Sequence, residues 1–346
     1  MLQILLPLLT LATGTLSLTI TPQSTDDTTQ LPLVIWHGLG DDFERDGLNS
    51  IATLAKTINP NTHVHIIHLS DTGSGDRQAT FFGNVSEQLD SVCTQLASDE
   101  TLQSAPAINA IGFSQGGQFL RGYIERCNNP PVHNLVTFGS QHNGISEFQQ
   151  CDLGDWFCNA AESVLRSGTW ADFVQGHIVP AQYFRDMNEL EPYLEHSNFL
   201  ADINNERRVK NGGYKRRLES LNLFVMYMFG NDSVAVPRET AHFADVNSTD
   251  GTVVGLKDRR IYKEDWIGLR SLDERDRLDF RTVPGQHMEI SREELEGAFR
   301  EFFGPTQNDR IVANAAAAAA ASSSGLEWVE EEEVRSPGLV VQPGSL

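Results

Sequence analysis

The chain reads as an α/β protein: a mainly parallel central sheet, flanking helices and a helical insertion. Three observations predict this. Short apolar runs alternate with helical patterns over most of the length, as strands joined by crossover helices do. One such run, Ala107-Ile108-Asn109-Ala110-Ile111, leads into Gly112-Phe113-Ser114-Gln115-Gly116, a G-x-S-x-G turn from a strand into a helix. Between Gly144 and about Ser220 the alternation stops, and aromatic residues are scattered among helix formers and turn residues.

Strands are expected at 33–36, 63–69, 107–113, 135–139, 221–229 and 280–283, each a short run rich in apolar residues. Helices are expected near 45–56, 85–97, 115–127 and 292–302. The third carries Phe119, Leu120, Tyr123 and Ile124 at helical spacing directly after the turn. Residues 30–143 and 221–304 form the expected core, with 144–220 inserted over the strand ends as a lid with its own aromatic core. Residues 305–346 contain the alanine run Ala315 to Ala321, a serine triplet and the cluster Glu330 to Glu333, and are expected to be a disordered low-complexity tail.

The composition bounds the partners. Of 346 residues 40% are apolar, enough for a sizeable core, and 26 Lys plus Arg stand against 47 Asp plus Glu, a net charge of −21. This argues against a polyanionic partner such as nucleic acid, so none is expected, and it disfavours a basic membrane-surface patch. Met1 to Ala12 is apolar but too short to span a bilayer, and small residues follow. Residues 1–19 are read as a secretory signal, although the usual basic start is missing. No later stretch is long and apolar enough to span, so the mature protein is expected to be soluble. Asn84, Asn231 and Asn247 head N-x-S/T sequons and are candidate glycosylation sites. Cys93, Cys127, Cys151 and Cys158 give an even count, consistent with two disulfides in one of three pairings. The short spacing of Cys151 and Cys158 favours a local loop, and Cys93 with Cys127 would then tie two helices beside the elbow strand. No C-x-x-C pair is present, and the histidines at 63, 65 and 68 do not share one strand face. Neither metal nor cofactor is expected.

The turn lifts the Ser114 hydroxyl to the end of the sheet, and a serine needs an imidazole and a carboxylate to act as a nucleophile. In this architecture they follow in the order serine, acid, histidine. Asp232 lies in the loop after the late strand, where an Asx turn is the structural alternative; Asp245 and Asp250 fall in an expected hairpin. His287 sits in the loop before the last helix. His242 follows Asp232 too closely to reach across the site. Ser114 is therefore the candidate nucleophile, His287 the base and Asp232 its orienting acid. Backbone N–H groups of Gln115 and Leu39 are the candidate oxyanion donors, the latter from the glycine loop Trp36-His37-Gly38-Leu39-Gly40-Asp41.

With these segments, the chain resembles the palmitoyl-protein thioesterases of the lysosome. The resemblance rests on Leu33 to Asp41, Ile111 to Arg121, Gly139-Ser140-Gln141-His142-Asn143-Gly144, Phe199-Leu200-Ala201-Asp202-Ile203-Asn204 and Asn231-Asp232-Ser233, and it covers roughly residues 31 to 304. It implies an α/β-hydrolase fold whose helical insertion forms a groove for a long acyl chain, and hydrolysis of fatty-acyl thioesters on protein cysteines. Ser114, Asp232 and His287 match the family's triad positions, and Gln115 and Leu39 its oxyanion donors. The pairs 93–127 and 151–158 match two family bridges. A further family cysteine pair is absent, Asp42-Phe43 standing in its place, so the first loop lacks that bridge. The tail has no family counterpart. The implied partners are S-acylated proteins or peptides and the acyl chain; the implied location is the lysosome, a vacuole or the exterior, and the chain is expected to be a monomer. A secreted lipase or carboxylesterase acting on oxygen esters is the alternative, and a non-enzymatic lipid carrier with a relic triad a third reading.

Overall fold

Six strands, β1 Leu33–Trp36, β2 Val64–Ile66, β3 Ile108–Phe113, β4 Val132–Phe138, β5 Leu223–Phe229 and β6 Leu278–Val283, form one sheet in the computed structural model. The structure describes residues 28–307 apart from 149, 150, 152, 153, 166 and 167, and also 314, 316, 320 and 327–329. The strand order is β6-β5-β4-β3-β1-β2, and every neighbouring pair is parallel. This is the α/β-hydrolase arrangement expected from the sequence. The central strands β3 and β4 are buried along their whole length, as strands covered by helices on both faces must be.

The helices that matter here are α1 Asp46–Ile58, α2 Gly73–Phe81, α3 Val85–Ser98, α4 Gln115–Arg126, α5 Trp156–Leu165, α6 Gly212–Leu218 and α7 Arg292–Phe302. Strand alternation divides the core between them. Leu33, Ile35, Ile111, Val136 and Val225 pack with Leu48 of α1 and Phe299 of α7. Val34, Trp36, Ala110, Leu135 and Phe224 face the other way and pack with Leu89 of α3, Phe119 of α4 and residues of the 144–220 region. At about 25 cal/mol per Å² of buried apolar surface, these two layers supply the main driving force for folding.

Between β5 and β6 the chain makes a short antiparallel pair, Asp245–Val246 with Val253–Val254, where the hairpin was expected. Between β4 and β5 it is mostly helical, with α5, Asp172–His177, Leu190–His196, Leu200–Ile203 and α6. A buried ion cluster ties the two stretches together: Arg185 Nη2 lies 3.0 Å from Glu206, Arg259 Nε lies 2.9 Å from Asp245, and Arg185 also pairs with Asp245. Asp245 is thereby occupied structurally.

Some expectations need correction. The strand expected over 63–69 ends at Ile66, because Leu69 leaves the ladder and donates its N–H to Asp76 (2.7 Å). Helix α2 was not expected at all. The tail is not wholly without structure: Thr306–Gln307 pairs with Thr28–Thr29, and Glu327–Val329 with Val209–Asn211. Short strands with unpaired edges are templates for such additions, and the polar composition of the tail as a whole hid them. The signal expected at 1–19, and all of the tail beyond Gln307 except 314, 316, 320 and 327–329, lie outside the described residues.

Candidate active site

The strand order reverses between β1 and β3, since the chain leaves β1 for β2 on one side and resumes with β3 on the other. In open parallel sheets the carboxyl ends at such a reversal leave a crevice. Ser114 stands there, at the end of β3, with φ 51° and ψ −126°. A non-glycine residue with positive φ costs about 1–3 kcal/mol and persists only when its surroundings fix it. The neighbouring glycines are what fix it. A Cβ on Gly112 would lie 2.3 Å from Gly117 Cα, and one on Gly116 would lie 2.3 Å from the His37 carbonyl oxygen. The strand, the elbow and the loop after β1 are packed closer than any side chain allows.

The structure brings the three predicted side chains together. His287 Nε2 is 3.0 Å from Ser114 Oγ, and His287 Nδ1 is 2.6 Å from Asp232 Oδ2. Ser114 is 8% exposed, and the side chains of His287 and Asp232 are 11% and 2% exposed. Asp232 Oδ1 accepts the N–H groups of Val234 and Ala235, each at 2.9 Å. The Asx turn weighed as an alternative is therefore present as well: one carboxylate oxygen makes the turn and the other holds the imidazole. His242 faces the Met226 and Arg281 carbonyls at 3.1 Å, and His65 faces Asp99 and Gln95.

Gln115 opens α4, so its backbone N–H has no partner within the helix. Leu39 lies in the loop after β1, where Gly40 donates to Thr80 Oγ1 and Asp41 to the Gly38 carbonyl. The Gln115 side chain turns away, its Oε1 accepting the Tyr183 hydroxyl at 3.1 Å. Helix α2 holds the loop after β1 in place. Arg77 Nε donates to the Gly40 carbonyl (2.8 Å), and Asp76 accepts the N–H of Phe43 (3.0 Å).

A cavity of about 460 Å³ opens beside Ser114 and His287, within the range of small-molecule sites. Phe81, Ile145, Phe148, Ala161 and Pro180 line one part, and Leu48, Ile51, Met288 and Ile290 another. Among the described residues, no group of three or more His, Cys, Asp or Glu side chains is placed to hold a metal ion. Cys93 is bonded to Cys127, and Cys151 to Cys158. The latter pair borders the cavity.

Gln141 and Tyr183 also line the cavity; neither they nor Asp76 were expected at the site, and His37 was expected only as part of a loop. Within that loop His37 directly precedes Gly38, which is a usable signal. Asp76 lies in Gly73-Ser74-Gly75-Asp76, which reads as a turn.

Fold and geometry define the class: an α/β-hydrolase whose elbow serine is hydrogen-bonded to a histidine and through it to an aspartate. Residues 32–287 match the family described as palmitoyl protein thioesterase. Palmitoyl-protein thioesterase 1 of Caenorhabditis elegans is 38% identical over 270 residues, covering 78% of this chain and 90% of that protein. Palmitoyl-protein thioesterase 3 of Dictyostelium discoideum is 32% identical, covering 74% and 84%. Lysosomal thioesterase PPT2-B of Xenopus laevis is 31% identical over 186 residues, covering 51% of this chain and 61% of that protein. The chain belongs to the palmitoyl protein thioesterase family, and with it to the thioester hydrolases.

Proposed function

We propose that the protein hydrolyses long-chain fatty-acyl thioesters, S-palmitoyl cysteine in proteins or peptides, through an acyl-enzyme on Ser114. The observation that carries this reading is the Ser114–His287–Asp232 hydrogen-bond chain opening onto an apolar cavity. In this mechanism His287 Nε2 takes the Ser114 proton as Oγ attacks the acyl carbonyl, and returns it to the departing sulfur. Asp232 keeps the imidazole oriented and stabilises its charged form. The backbone N–H groups of Gln115 and Leu39 receive the oxyanion, each contributing about 2.7–4 kcal/mol to lowering the barrier. Water then attacks the acyl-enzyme with His287 as base.

A thiol, of pKa about 8.5, leaves far more readily than an alkoxide, so the sulfur needs little help from the imidazole. The 144–220 region acts as the lid, contributing Phe148, Ala161 and Pro180 to the acyl path. Each buried methylene adds about 0.8 kcal/mol, which favours long chains. The lysosome is the proposed site of action, supported by the relative named as a lysosomal thioesterase. Among the described residues no helix is long and apolar enough to cross a membrane. The sequons at Asn84, Asn231 and Asn247 are proposed to carry glycans.

The test compares palmitoyl thioester with p-nitrophenyl palmitate, with Ser114→Ala as control. A preference for the thioester, abolished by the substitution, is expected. A strong preference for the oxygen ester would make the protein a lipase or carboxylesterase. Acyl binding without turnover or serine labelling would make it a carrier.

A further inference from the structure

The loop from His37 to Phe43 holds a second buried histidine–carboxylate pair. His37 is 1% exposed and Asp76 0%, and His37 Nε2 lies 2.8 Å from Asp76 Oδ2. Asp76 also accepts the backbone N–H groups of Phe43 and Leu69, at 3.0 and 2.7 Å. One carboxylate therefore ties both ends of the loop to the chain leaving β2. On the other side of the ring, Nδ1 lies 3.2 Å from the Gly38 carbonyl oxygen. A neutral imidazole has one N–H to give. Here both nitrogens face oxygens that can only accept, so the imidazolium alone satisfies both. Burial opposes that charge, but the Asp76 carboxylate and the Gly38 carbonyl outweigh it and hold His37 above its ordinary pKa.

The consequence falls on the next peptide. The Gly38 carbonyl and the Leu39 N–H belong to one planar trans unit and point in opposite directions, so gripping the oxygen aims the N–H. Gly38 lies against the nucleophile, since a Cβ built on it would sit 3.0 Å from Ser114 Cβ. Gly38, Leu39 and Ser114 border the cavity, whereas His37 is not among its lining residues. We propose that His37, clamped by Asp76, is a positioning residue for hydrolysis: its Nδ1–H holds the Gly38 carbonyl and so directs the Leu39 N–H at the substrate's carbonyl oxygen. This rests on the reading of Ser114 and Leu39 given above.

Other charged groups surround the loop. Asp41 adds to the field that favours the imidazolium. Asp42 pairs with Arg45, and Glu44 accepts the N–H of Gly73 at the start of α2. Arg77 binds the Gly40 carbonyl, His68 packs on Phe43, and His287 stands across Ser114. Of these acids, Asp76 alone touches the ring.

Two variants separate the roles of the ring nitrogens. A glutamine amide reaches the Nε2 position and an asparagine amide the Nδ1 position. His37→Gln keeps a donor to Asp76 but leaves the Gly38 carbonyl only the long contact from the Asp41 N–H. On palmitoyl-CoA, kcat should fall by about 10- to 100-fold, with KM within about twofold and little change in melting temperature. His37→Asn keeps the Gly38 contact but leaves Asp76 only the Phe43 and Leu69 N–H groups; it should melt earlier and lose less kcat per folded molecule. In the unmodified protein, kcat should decline as pH rises through the raised His37 value, and Asp76→Asn should remove that limb. An unchanged kcat in His37→Gln, or in the unmodified protein a kcat with no decline on the alkaline side, would overturn the proposal. A Ser114→Ala variant that stayed active would instead sink the parent reading.

Discussion

His287 with Asp232 and His37 with Asp76 are the same two side chains at nearly the same separation, 2.6 and 2.8 Å. They reach Ser114 from strands on opposite sides of β3. What differs is the remaining ring nitrogen. In His287 it faces a hydroxyl, which can give or take a proton, and the ring borders the cavity. In His37 it faces a carbonyl, which only accepts, and the ring is sealed. A histidine that must exchange a proton within each cycle needs a partner of variable polarity. A histidine that must hold a shape needs acceptors on both sides. The same two side chains are thus set for proton exchange at His287, on the reading proposed above, and for a held contact that favours the proton at His37.

The contrast is broken most sharply by neutralising each acid. Asp232→Asn should lower kcat by about 10⁴-fold, because the imidazole loses its orientation and the support of its charged form. Its melting temperature should change little, since an amide oxygen can still accept the turn N–H groups. Removing Asp76 should act in the reverse proportion. Asp76→Ala deletes one partner of a fully buried pair, which costs about 3–5 kcal/mol of stability, while kcat per folded molecule falls by about 10- to 100-fold. Paired denaturant titrations and kinetics on the folded fraction distinguish the two. Equal loss of stability in both variants would erase the distinction.

The same contrast explains what could be read from the chain alone. Ser114 and Asp232 were legible because each follows a strand with a strong apolar run, and His287 because it lies in the loop between the last strand and the amphipathic last helix; fold topology fixes where strand ends meet. Helix α2 was not legible. Gly73-Ser74-Gly75-Asp76-Arg77-Gln78-Ala79-Thr80-Phe81 has no apolar face, and the helix exists because Thr72 caps it and its polar side chains bind the loop after β1. Asp76 meets His37 across 39 positions, a pairing that periodicity does not encode. The tail strands were missed for a related reason: their partners, Thr28–Thr29 and Val209–Asn211, are themselves too short to carry a pattern.

Acidity sharpens the comparison further. The folded-state pKa of His37 lies above the unfolded value of 6.5, so its contribution to stability is complete below that value and is lost as pH rises through the folded one. Glu125 acts in the same direction. Burial pushes its carboxyl up to about 8 against the pull of Arg121, so the folded state binds a proton that the unfolded state has released above about 4.5. Buried His142 and His242 act against this, because burial holds both imidazoles below 6.5 and the unfolded chain takes up their protons as pH falls, so the Glu125 contribution is read by difference: between about pH 5 and pH 8 the stability of the unmodified protein relative to Glu125→Gln should decline as pH rises. At lower pH two acids, Glu206 and Asp245, also act in the opposite direction. Burial raises them, but Arg185 and Arg259 prevail and hold both below the usual carboxylate range, so their contribution is lost only as pH falls through that range. Thermal melts across this interval check the sign. A stability difference between the two proteins that does not fall from pH 5 to pH 8 would show that Glu125 does not retain its proton in the fold.

The smallest expected effect lies at the exposed edge of the first pair. Asn231 is exposed, whereas the Asp232 side chain beside it is 2% exposed, so the two point apart. The Asn231 backbone N–H is bound to the Gly285 carbonyl at 3.0 Å, which keeps this loop against the segment that carries His287. A glycan on the Asn231 side chain would leave those contacts intact and project from the molecule rather than into the cavity. Asn231→Gln should remove one glycan mass in mass spectrometry and change kcat by less than about twofold, as surface substitutions away from buried features do. A tenfold loss of activity with an unchanged fold would mean that the glycan or the asparagine itself supports the Asp232 turn. The outer pair would then be as dependent on its surroundings as the sealed one.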